Sequence, residues 1–289
     1  MPELPEVETT VRLLRPRLEG RRVVDAAVHW PRTLGGQDEA QFRAAVCGAR
    51  VARLWRRAKF IALDLERRRS PAGTLLCHLR MSGRLVVEAA GAELDPHVRV
   101  VLRLDRGALH FNDARKFGRF FHCADPAAFL AALGPEPLGA AFTADWLARA
   151  LRARRRLLKP LLLDQSFVAG LGNIYVDEAL HRAGLHPLRR SDRVPRGAAR
   201  RLHAAIRATL EAAIEREGSS FDVFYRTPEG NPGRFQDQWL AYGREGEPCR
   251  RCGRAIRRIV VGQRGTHLCT RCQPAPRRGG NAQRRVASW

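Results

Sequence analysis

Four of the seven cysteines lie in two close pairs near the C-terminal end of the sequence. Cys249, Cys252, Cys269 and Cys272 form the pattern C-x2-C-x16-C-x2-C, whereas the other three are scattered. Four thiolates in two such pairs satisfy a tetrahedral Zn²⁺ and leave no open coordination position. The pattern therefore predicts one structural zinc ion, and residues 249–272 are expected to fold around it.

The segment between the two pairs, GRAIRRIVVGQRGTHL, is typical of a β-hairpin with Gly262 and Gly265 near its turn. It contains no acid and four arginines: Arg254, Arg257, Arg258 and Arg264. A basic hairpin pinned by zinc predicts a finger that grips phosphate. The alternative is a zinc ribbon that only stabilises a small subdomain.

The charge of the whole chain favours a polyanionic partner. Lys and Arg number 52 against 29 Asp and Glu, which gives a formal net charge of +23. This balance predicts attraction to nucleic acid, and a merely adhesive basic protein is the alternative. Only Lys59, Lys116 and Lys159 are lysines, so each of them needs a reason of its own. A hydrophobic fraction of 45% excludes wholesale disorder.

The first half of the chain predicts a helix followed by strands. Apolar residues recur at steps of three and four over 4–18, with Pro5 suited to the first turn and Gly20 to the stop. Pro16 is expected to kink this helix or end it early. From about position 22 to 123, short strand-like runs alternate with turn residues, which predicts a β-rich domain.

The second half predicts helices. A segment rich in Pro and Gly, residues 133–145, is the expected linker, and the 3.6-residue period returns after it. We therefore predict four parts: a β domain over 1–135, a helical domain with a polar loop (219–237) over 136–237, the zinc finger over 238–273, and a basic, disordered tail over 274–289.

Three shorter features suggest chemistry. The glycine-rich turn VAGLGNIY lies between helices and can hold a phosphate through its amides and Asn173, although a G-x-G is equally consistent with a simple tight turn. Pro2 at a helix start would be a secondary-amine nucleophile once Met1 is removed, with Glu3 moving protons; the alternative is ordinary helix capping by Glu3 and Glu6. Lys59, in RRAKF, is either a tunable amine or a solvated strand residue.

The sequence has no apolar run of the roughly 20 residues that a bilayer span requires. Its first residues also lack the basic and apolar regions of a signal peptide. We therefore expect a cytoplasmic protein without a membrane partner, whose cysteines are thiols or metal ligands.

Several long motifs resemble the formamidopyrimidine-DNA glycosylase family. They are MPELPEVET, the RRAK strand, HLRMSG (78–83), NDARKFG (112–118), LLDQSFVAGLGNIYVDEAL (162–180), YGREGEPC (242–249) and QRGTHLCTRCQ (263–273). The resemblance implies an α+β protein with an N-terminal β-sandwich flanked by helices, and a C-terminal helix–two-turn–helix domain with a four-cysteine zinc finger. It implies a monomeric bacterial enzyme of base-excision repair, associated with the nucleoid.

The resemblance also implies roles for single residues in a glycosylase and abasic-site lyase. Pro2 matches the nucleophile that forms a Schiff base at C1′ of a damaged nucleotide. Glu3 matches the acid that assists opening of the sugar, and Glu6 a second acid close to it. Lys59 matches a lysine that holds a phosphate and assists β-elimination, and Arg264 an arginine assigned to δ-elimination.

The implied partner is duplex DNA that contains oxidised purines. Asn173 matches a contact to the phosphate beside the lesion, and three residues match backbone contacts, for which an ordinary basic surface is the alternative: His97, Arg155 and Lys159. A glycosylase extrudes its target nucleotide, so other side chains must fill the gap. Met81 and Phe117 match the apolar wedges, with core packing as the alternative, and Arg115 matches the reader of the orphaned cytosine.

Two departures from the family pattern affect the predicted lesion. Arg80 replaces the glycine that usually precedes Met-Ser-Gly, and Glu217 replaces a glycine before the loop 219–237. An endonuclease VIII-like glycosylase for oxidised pyrimidines is the alternative within the enzyme class, although that relative typically begins PEGPEI and lacks the gap-filling set. A non-catalytic zinc-finger protein that binds damaged DNA is the alternative outside it.

Overall fold

The computed structural model describes residues 1–220 and 225–276. These residues form two antiparallel sheets, then a group of helices, then a small hairpin subdomain. The predicted α+β architecture is therefore confirmed. Residues 221–224 of the polar loop and 277–289 of the tail lie outside the described residues, and the domain boundaries stay predictions.

The first helix, α1 (Leu4–Leu18), belongs to both halves of the molecule. Leu4 packs in the core of the helical part, whereas Val7 and the later members of the apolar stripe pack in the core of the sheets. The prediction that Pro16 ends the helix early is wrong, because a proline in the last turn removes only one backbone hydrogen bond. The start of α1 therefore lies at the junction of the two halves.

Two four-stranded antiparallel sheets share one apolar core in the N-terminal half. One sheet has the order β1 (Val23–Val28), β6 (Val98–Leu104), β7 (Ala108–Asp113) and β5 (Gly83–Glu88). The other has the order β2 (Arg50–Arg57), β3 (Phe60–Arg67), β4 (Ser70–His78) and β8 (Arg119–Cys123). A short helix that the sequence pattern did not predict, α2 (Glu39–Val46), covers the core with only two buried apolar side chains.

The strand register brings three turns to one end of this sandwich. His78 at the end of β4 pairs with Phe60 at the start of β3 and with Arg119 at the start of β8. In the other sheet, Gly83 at the start of β5 pairs with Asp113 at the end of β7. The turns β2–β3, β4–β5 and β7–β8 therefore lie side by side, and they carry the candidate residues of this domain.

The helical part packs around one apolar core. After the short α3 (Pro126–Leu130), its helices are α4 (Ala144–Arg152), α5 (Leu158–Leu163), α6 (Asn173–Ala183) and α7 (Arg196–Glu215). The glycine-rich turn joins α5 to α6, and α7 packs on both α6 and α1. Within the two described ranges, no helix is long and apolar enough to cross a membrane.

The last described segment is the predicted hairpin, β9 (Arg257–Val261) and β10 (Arg264–Leu268). Its two-residue turn consists of Gly262 and Gln263, both with left-handed backbone angles, as a type I′ hairpin requires. Gly265 lies inside β10, not in the turn. The hairpin packs on α6, so the zinc-finger subdomain and the helical part are in direct contact.

Candidate functional site at the junction of the two domains

The first residues of the chain lie buried between the two domains. Pro2 and Glu3 are both buried, and the amide of Glu3 donates a 2.7 Å hydrogen bond to the Glu6 carboxylate. The Glu3 side chain and Glu6 thus form a capping box at the start of α1. The alternative of helix capping is therefore correct. Both acids also make contacts outside α1, which capping does not require.

Glu3 reaches across to the glycine-rich turn. Its Oε1 accepts a hydrogen bond of 3.1 Å from the amide of Ile174 at the start of α6. A side chain at Gly172 is impossible here, since its Cβ would lie 2.2 Å from the Glu3 carboxyl carbon. The turn is thus more than a tight connection, because its glycine allows the acid to approach the helix N-terminus. Among the described residues, Glu3 Oε2 is buried without a hydrogen-bond partner.

Glu6 is held by groups from α6 and from the end of α7. Its Oε1 accepts hydrogen bonds from the Tyr175 hydroxyl and, at 2.8 Å, from the Ser219 amide. Gly218 has a φ of +82°, and a Cβ there would lie 2.6 Å from Glu6 Oε1. The carboxylate therefore lies in a close-fitting cage that combines three elements distant in sequence.

Lys59 lies in the β2–β3 turn and is only 6% exposed, which contradicts the alternative of a solvated strand residue. Glu136, at the start of the helical part, supports this turn. Its carboxylate pairs with Arg56 at 2.8 Å and with Arg57 at 3.0 Å, and it accepts a hydrogen bond from the Ala58 amide. Ala58 itself has a left-handed φ of 54°. The turn is thus fixed immediately before the lysine.

Burial shifts the protonation of all three groups at the junction. It raises the pKa of Glu3 to about 7, with the Lys59 charge opposing the rise. Burial also raises the pKa of Glu6 and lowers that of Lys59, although the two carboxylates favour the charged ammonium. Glu3 can consequently both hold and release a proton near neutral pH, as an acid–base catalyst must.

A cavity of about 180 Å³ opens beside Pro2 and Glu6. Its wall combines the chain start, the β4–β5 turn, α6, the segment after α7 and the loop before the zinc finger; the lining residues are Met1, Pro2, Glu6, Met81, Ile174, Ser219, Tyr225 and Tyr242. Pro2 therefore lies at the wall of a cavity to which both domains contribute.

The predicted gap-filling residues lie on two neighbouring turns. Met81 is half-buried at the cavity, while Phe117 is 49% exposed, so Phe117 is not a core residue. The Arg115 guanidinium lies 4.9 Å from the centre of the Phe117 ring. An exposed phenylalanine under an arginine is available to a flat ligand, which is consistent with the predicted wedge.

The predicted backbone contacts differ in exposure. His97, Arg155 and Arg264 are exposed. The Asn173 amide group donates 3.0 Å to the Gly265 carbonyl, and its Oδ1 is buried without a partner among the described residues. Asn173 thus connects the turn to the hairpin that carries Arg264.

Lys159 does not fit the predicted direct contact with phosphate. Its side chain is 0% exposed, and its ammonium pairs with Asp177 at 2.6 Å. It also donates 3.1 Å to the carbonyl of Gly265 in β10. Asp177 in turn accepts from the His267 amide at 2.8 Å. The lysine therefore joins α5, α6 and the zinc-finger hairpin, and its charge is already neutralised.

The four cysteines of the paired motif converge. Their sulfur atoms all lie within 4.8 Å of one another, with 3.4 Å between Cys252 and Cys269 and 3.9 Å between Cys249 and Cys272. Tetrahedral zinc with bonds of about 2.3 Å separates its sulfurs by roughly 3.8 Å. The donor set therefore fits one structural Zn²⁺, which supplies folding energy to the hairpin and no reactive position.

Several residues that build this site were not among the sequence candidates: Glu136, Tyr175, Asp177 and Ser219. Tyr175 and Asp177 lie in the quoted motif LLDQSFVAGLGNIYVDEAL, where their spacing on α6 is the only available signal. Glu136 and Ser219 lie in segments without periodicity. Their partners in the site, Arg56, Glu6 and Tyr175, are 44 or more residues away, so no local pattern indicates them.

Comparison with known proteins assigns the chain to one family. Residues 1–120 match the formamidopyrimidine-DNA glycosylase N-terminal domain, residues 133–225 its H2TH domain, and residues 246–275 the zinc finger found in FPG and IleRS. The formamidopyrimidine-DNA glycosylase of Symbiobacterium thermophilum is 45% identical over 282 residues, which cover 96% of this chain and 90% of that protein.

Solved structures agree with this assignment. The wild-type Lactococcus lactis Fpg (MutM), in complex with DNA containing N7-benzyl-Fapy-dG, superposes with a TM-score of 0.87 at 34% identity, covering 95% of this chain and 100% of that one. MutM in complex with DNA containing carbocyclic 8-oxo-G superposes with a TM-score of 0.86 at 33% identity, with the same coverage. The chain belongs to the formamidopyrimidine-DNA glycosylase family and is a DNA glycosylase of base-excision repair.

Proposed function

We propose that the chain excises oxidised purines, 8-oxoguanine and formamidopyrimidines, from duplex DNA and then cleaves the strand. The observation that carries this proposal is that Pro2 and Glu6 line one cavity between the domains, while Glu3 and Lys59 are buried close enough to Glu6 to feel its charge. The relatives that were solved with Fapy-dG or 8-oxo-G in their DNA support the choice of substrate.

The first step is base release. With Met1 removed, the neutral nitrogen of Pro2 attacks C1′ of the extruded nucleotide, and the bond between C1′ and the base breaks with its electron pair on the base, which takes up the proton that the nitrogen loses. The nitrogen lone pair then breaks the bond between C1′ and the ring oxygen of the sugar. Glu3 delivers a proton to the opening sugar, for which its pKa of about 7 is suited. The product is a cationic iminium on Pro2. The Glu6 carboxylate, held by Tyr175, lines the same cavity as Pro2.

The second step is strand cleavage by β- and δ-elimination. The iminium accepts the electron pair that loss of a C2′ proton leaves, and the 3′ phosphate departs. Lys59, whose pKa burial lowers, holds a phosphate and assists this step. Arg264, exposed at the start of β10, holds the 5′ phosphate that leaves in the second elimination.

The remaining predicted residues hold the bent duplex and fill its gap. Met81 and Phe117 enter the space of the extruded nucleotide, and Arg115 contacts the orphaned cytosine. His97, Arg155 and Asn173 contact the backbone. Lys159 acts indirectly, because it fixes the hairpin that carries Arg264. The start PELPEV together with the gap-filling set favours purines over the pyrimidine substrates of the endonuclease VIII-like alternative.

Borohydride trapping on a duplex with one 8-oxoguanine tests the nucleophile. The chain with a free Pro2 should form a covalent adduct that mass spectrometry maps to Pro2. The same chain with any N-terminal extension should form none and should still bind, because one extra residue at a helix start costs little packing. An adduct at Lys59 or elsewhere contradicts the mechanism. Absence of any adduct from the untagged chain favours the non-catalytic binding protein.

A further inference from the structure

Two turns at the end of the sandwich are joined by one buried hydrogen-bonded unit. Ser82 lies next to Met81 and is 8% exposed, and Asp113 lies two residues before Arg115 and is 1% exposed. The Ser82 hydroxyl donates to Asp113 Oδ1 at 2.5 Å. We call this pair the Ser82–Asp113 clamp.

The clamp holds the β7–β8 turn at both of its ends. Asp113 Oδ2 accepts from the Gly118 amide at 2.6 Å, and the Ser82 oxygen accepts from the Arg115 amide at 3.2 Å. A side chain at Gly118 would collide with Phe111, so only glycine fits at this anchor of the turn. The four residues between Asp113 and Gly118 are all exposed, as a presented loop requires.

A second contact fixes the middle of the same turn. Lys116, between Arg115 and Phe117, has a left-handed φ of 60°, which costs energy in a residue other than glycine. Its ammonium lies 4.1 Å from the centre of the Trp30 ring, in a cation–π contact that offsets this cost.

We propose that the Ser82–Asp113 clamp is a positioning device that sets the choice of the opposite base. It keeps Met81 on one turn in register with Arg115 and Phe117 on the other, so that the wedges and the reader enter the duplex as one rigid unit. This inference rests on the proposed function, since it assumes that Arg115 reads the orphaned base. A hydrogen bond to a buried carboxylate has the strength to fix such a register.

The test compares Ser82→Ala with Thr74→Val. Thr74 donates to Asp64 at 2.8 Å and is also buried, but it joins β4 to β3 far from the turns. Both variants remove one hydroxyl that donates to a carboxylate in the same domain, buried in Asp113 and half-buried in Asp64. For each chain, kcat/KM is measured on 8-oxoguanine opposite cytosine and opposite adenine, together with the thermal midpoint.

Ser82→Ala should lower the ratio of kcat/KM for cytosine over adenine by about three- to tenfold, because the reader loses its fixed position. Thr74→Val should leave that ratio unchanged, even if it lowers the thermal midpoint by as much as Ser82→Ala does. Asp113→Asn, which keeps one acceptor oxygen, should lower the ratio at least as far. When Ser82→Ala is added to Asp113→Asn, it should lower this ratio by less than it does in the otherwise unchanged chain.

The controls separate this inference from the function on which it rests. If the untagged chain leaves no trapped adduct, the proposed function fails. If it cleaves and prefers cytosine, but Ser82→Ala keeps the full ratio, the clamp alone is wrong. If it cleaves without preference for cytosine, both the reading role of Arg115 and the clamp are overturned.

Discussion

Two of the three lysines are buried near carboxylates, and they differ in how their charges are paired. Lys159 pairs directly with Asp177 and also donates to a backbone carbonyl, so its charge is satisfied. Lys59 lies in the field of Glu3 and Glu6, but among the described residues it has no ion pair of this kind. The pKa of both acids is raised by their burial.

The difference shows that burial alone does not decide whether a charged side chain stabilises the structure or is suited to proton transfer. A buried charge with a close partner stabilises one arrangement and is costly to disturb. Buried groups that are near but incompletely paired exchange protons readily, because no single charge state is strongly favoured. The Lys159 cluster is thus a mechanical joint between helices and zinc finger, whereas the Lys59 cluster is suited to chemistry.

The largest expected effect is on chemistry at the Lys59 cluster. Glu3→Gln keeps the shape of the side chain but removes its proton, so base excision from 8-oxoguanine duplex should fall by about two to four orders of magnitude. DNA affinity should be retained and the thermal midpoint should not fall, which binding titrations and thermal melts check beside single-turnover kinetics. An equal loss of binding and catalysis would place Glu3 in the framework, like Asp177.

The second effect concerns stability. Lys159→Ala leaves Asp177 buried and unpaired, so the free energy of unfolding should fall by about 3–5 kcal/mol in urea at pH 7. Lys59→Ala is the matched control and should change stability by only about 1 kcal/mol, since Glu3 and Glu6 can take up protons instead.

Salt titration adds an independent check on Lys159. A variant that lost a direct phosphate contact would show a salt slope shallower by about 0.9. We expect Lys159→Ala to weaken DNA binding with an unchanged slope, because its charge is already neutralised by Asp177. A slope that falls by one contact would restore Lys159 as a phosphate ligand.

The smallest effect is the pH dependence of stability. The pKa of Glu3 rises from 4.5 in the unfolded chain to about 7 in the folded one, so above pH 4.5 the folded state holds a proton that the unfolded state has lost. The corresponding stability is present below pH 4.5 and is lost as the pH rises to about 7, by roughly 3 kcal/mol at most. Thermal melts of Glu3→Gln from pH 5 to 8 should lack this decline. Parallel curves for the two chains would contradict the raised pKa.

Much of the molecule follows from local patterns. The apolar period of α1, the alternation of strands and turns, and the hairpin between the cysteine pairs are all visible in the sequence. The short helix α2 was missed, because two buried apolar residues in eight make no recognisable stripe. Pro16 was given too much weight, since its effect depends on its place in the helix.

The available chemistry follows from the amino-acid sequence alone: four paired thiols for one zinc ion, a proline at position 2 followed by two acids, and three lysines among many arginines. Motifs of that length also identified the family. Only the tertiary structure shows which lysine lies near the candidate catalytic acids and which one joins the helices to the zinc finger. Lys159 meets its partners across 18 and 106 residues, and burial, pairing and protonation are set by such distant contacts, not by neighbours in the chain.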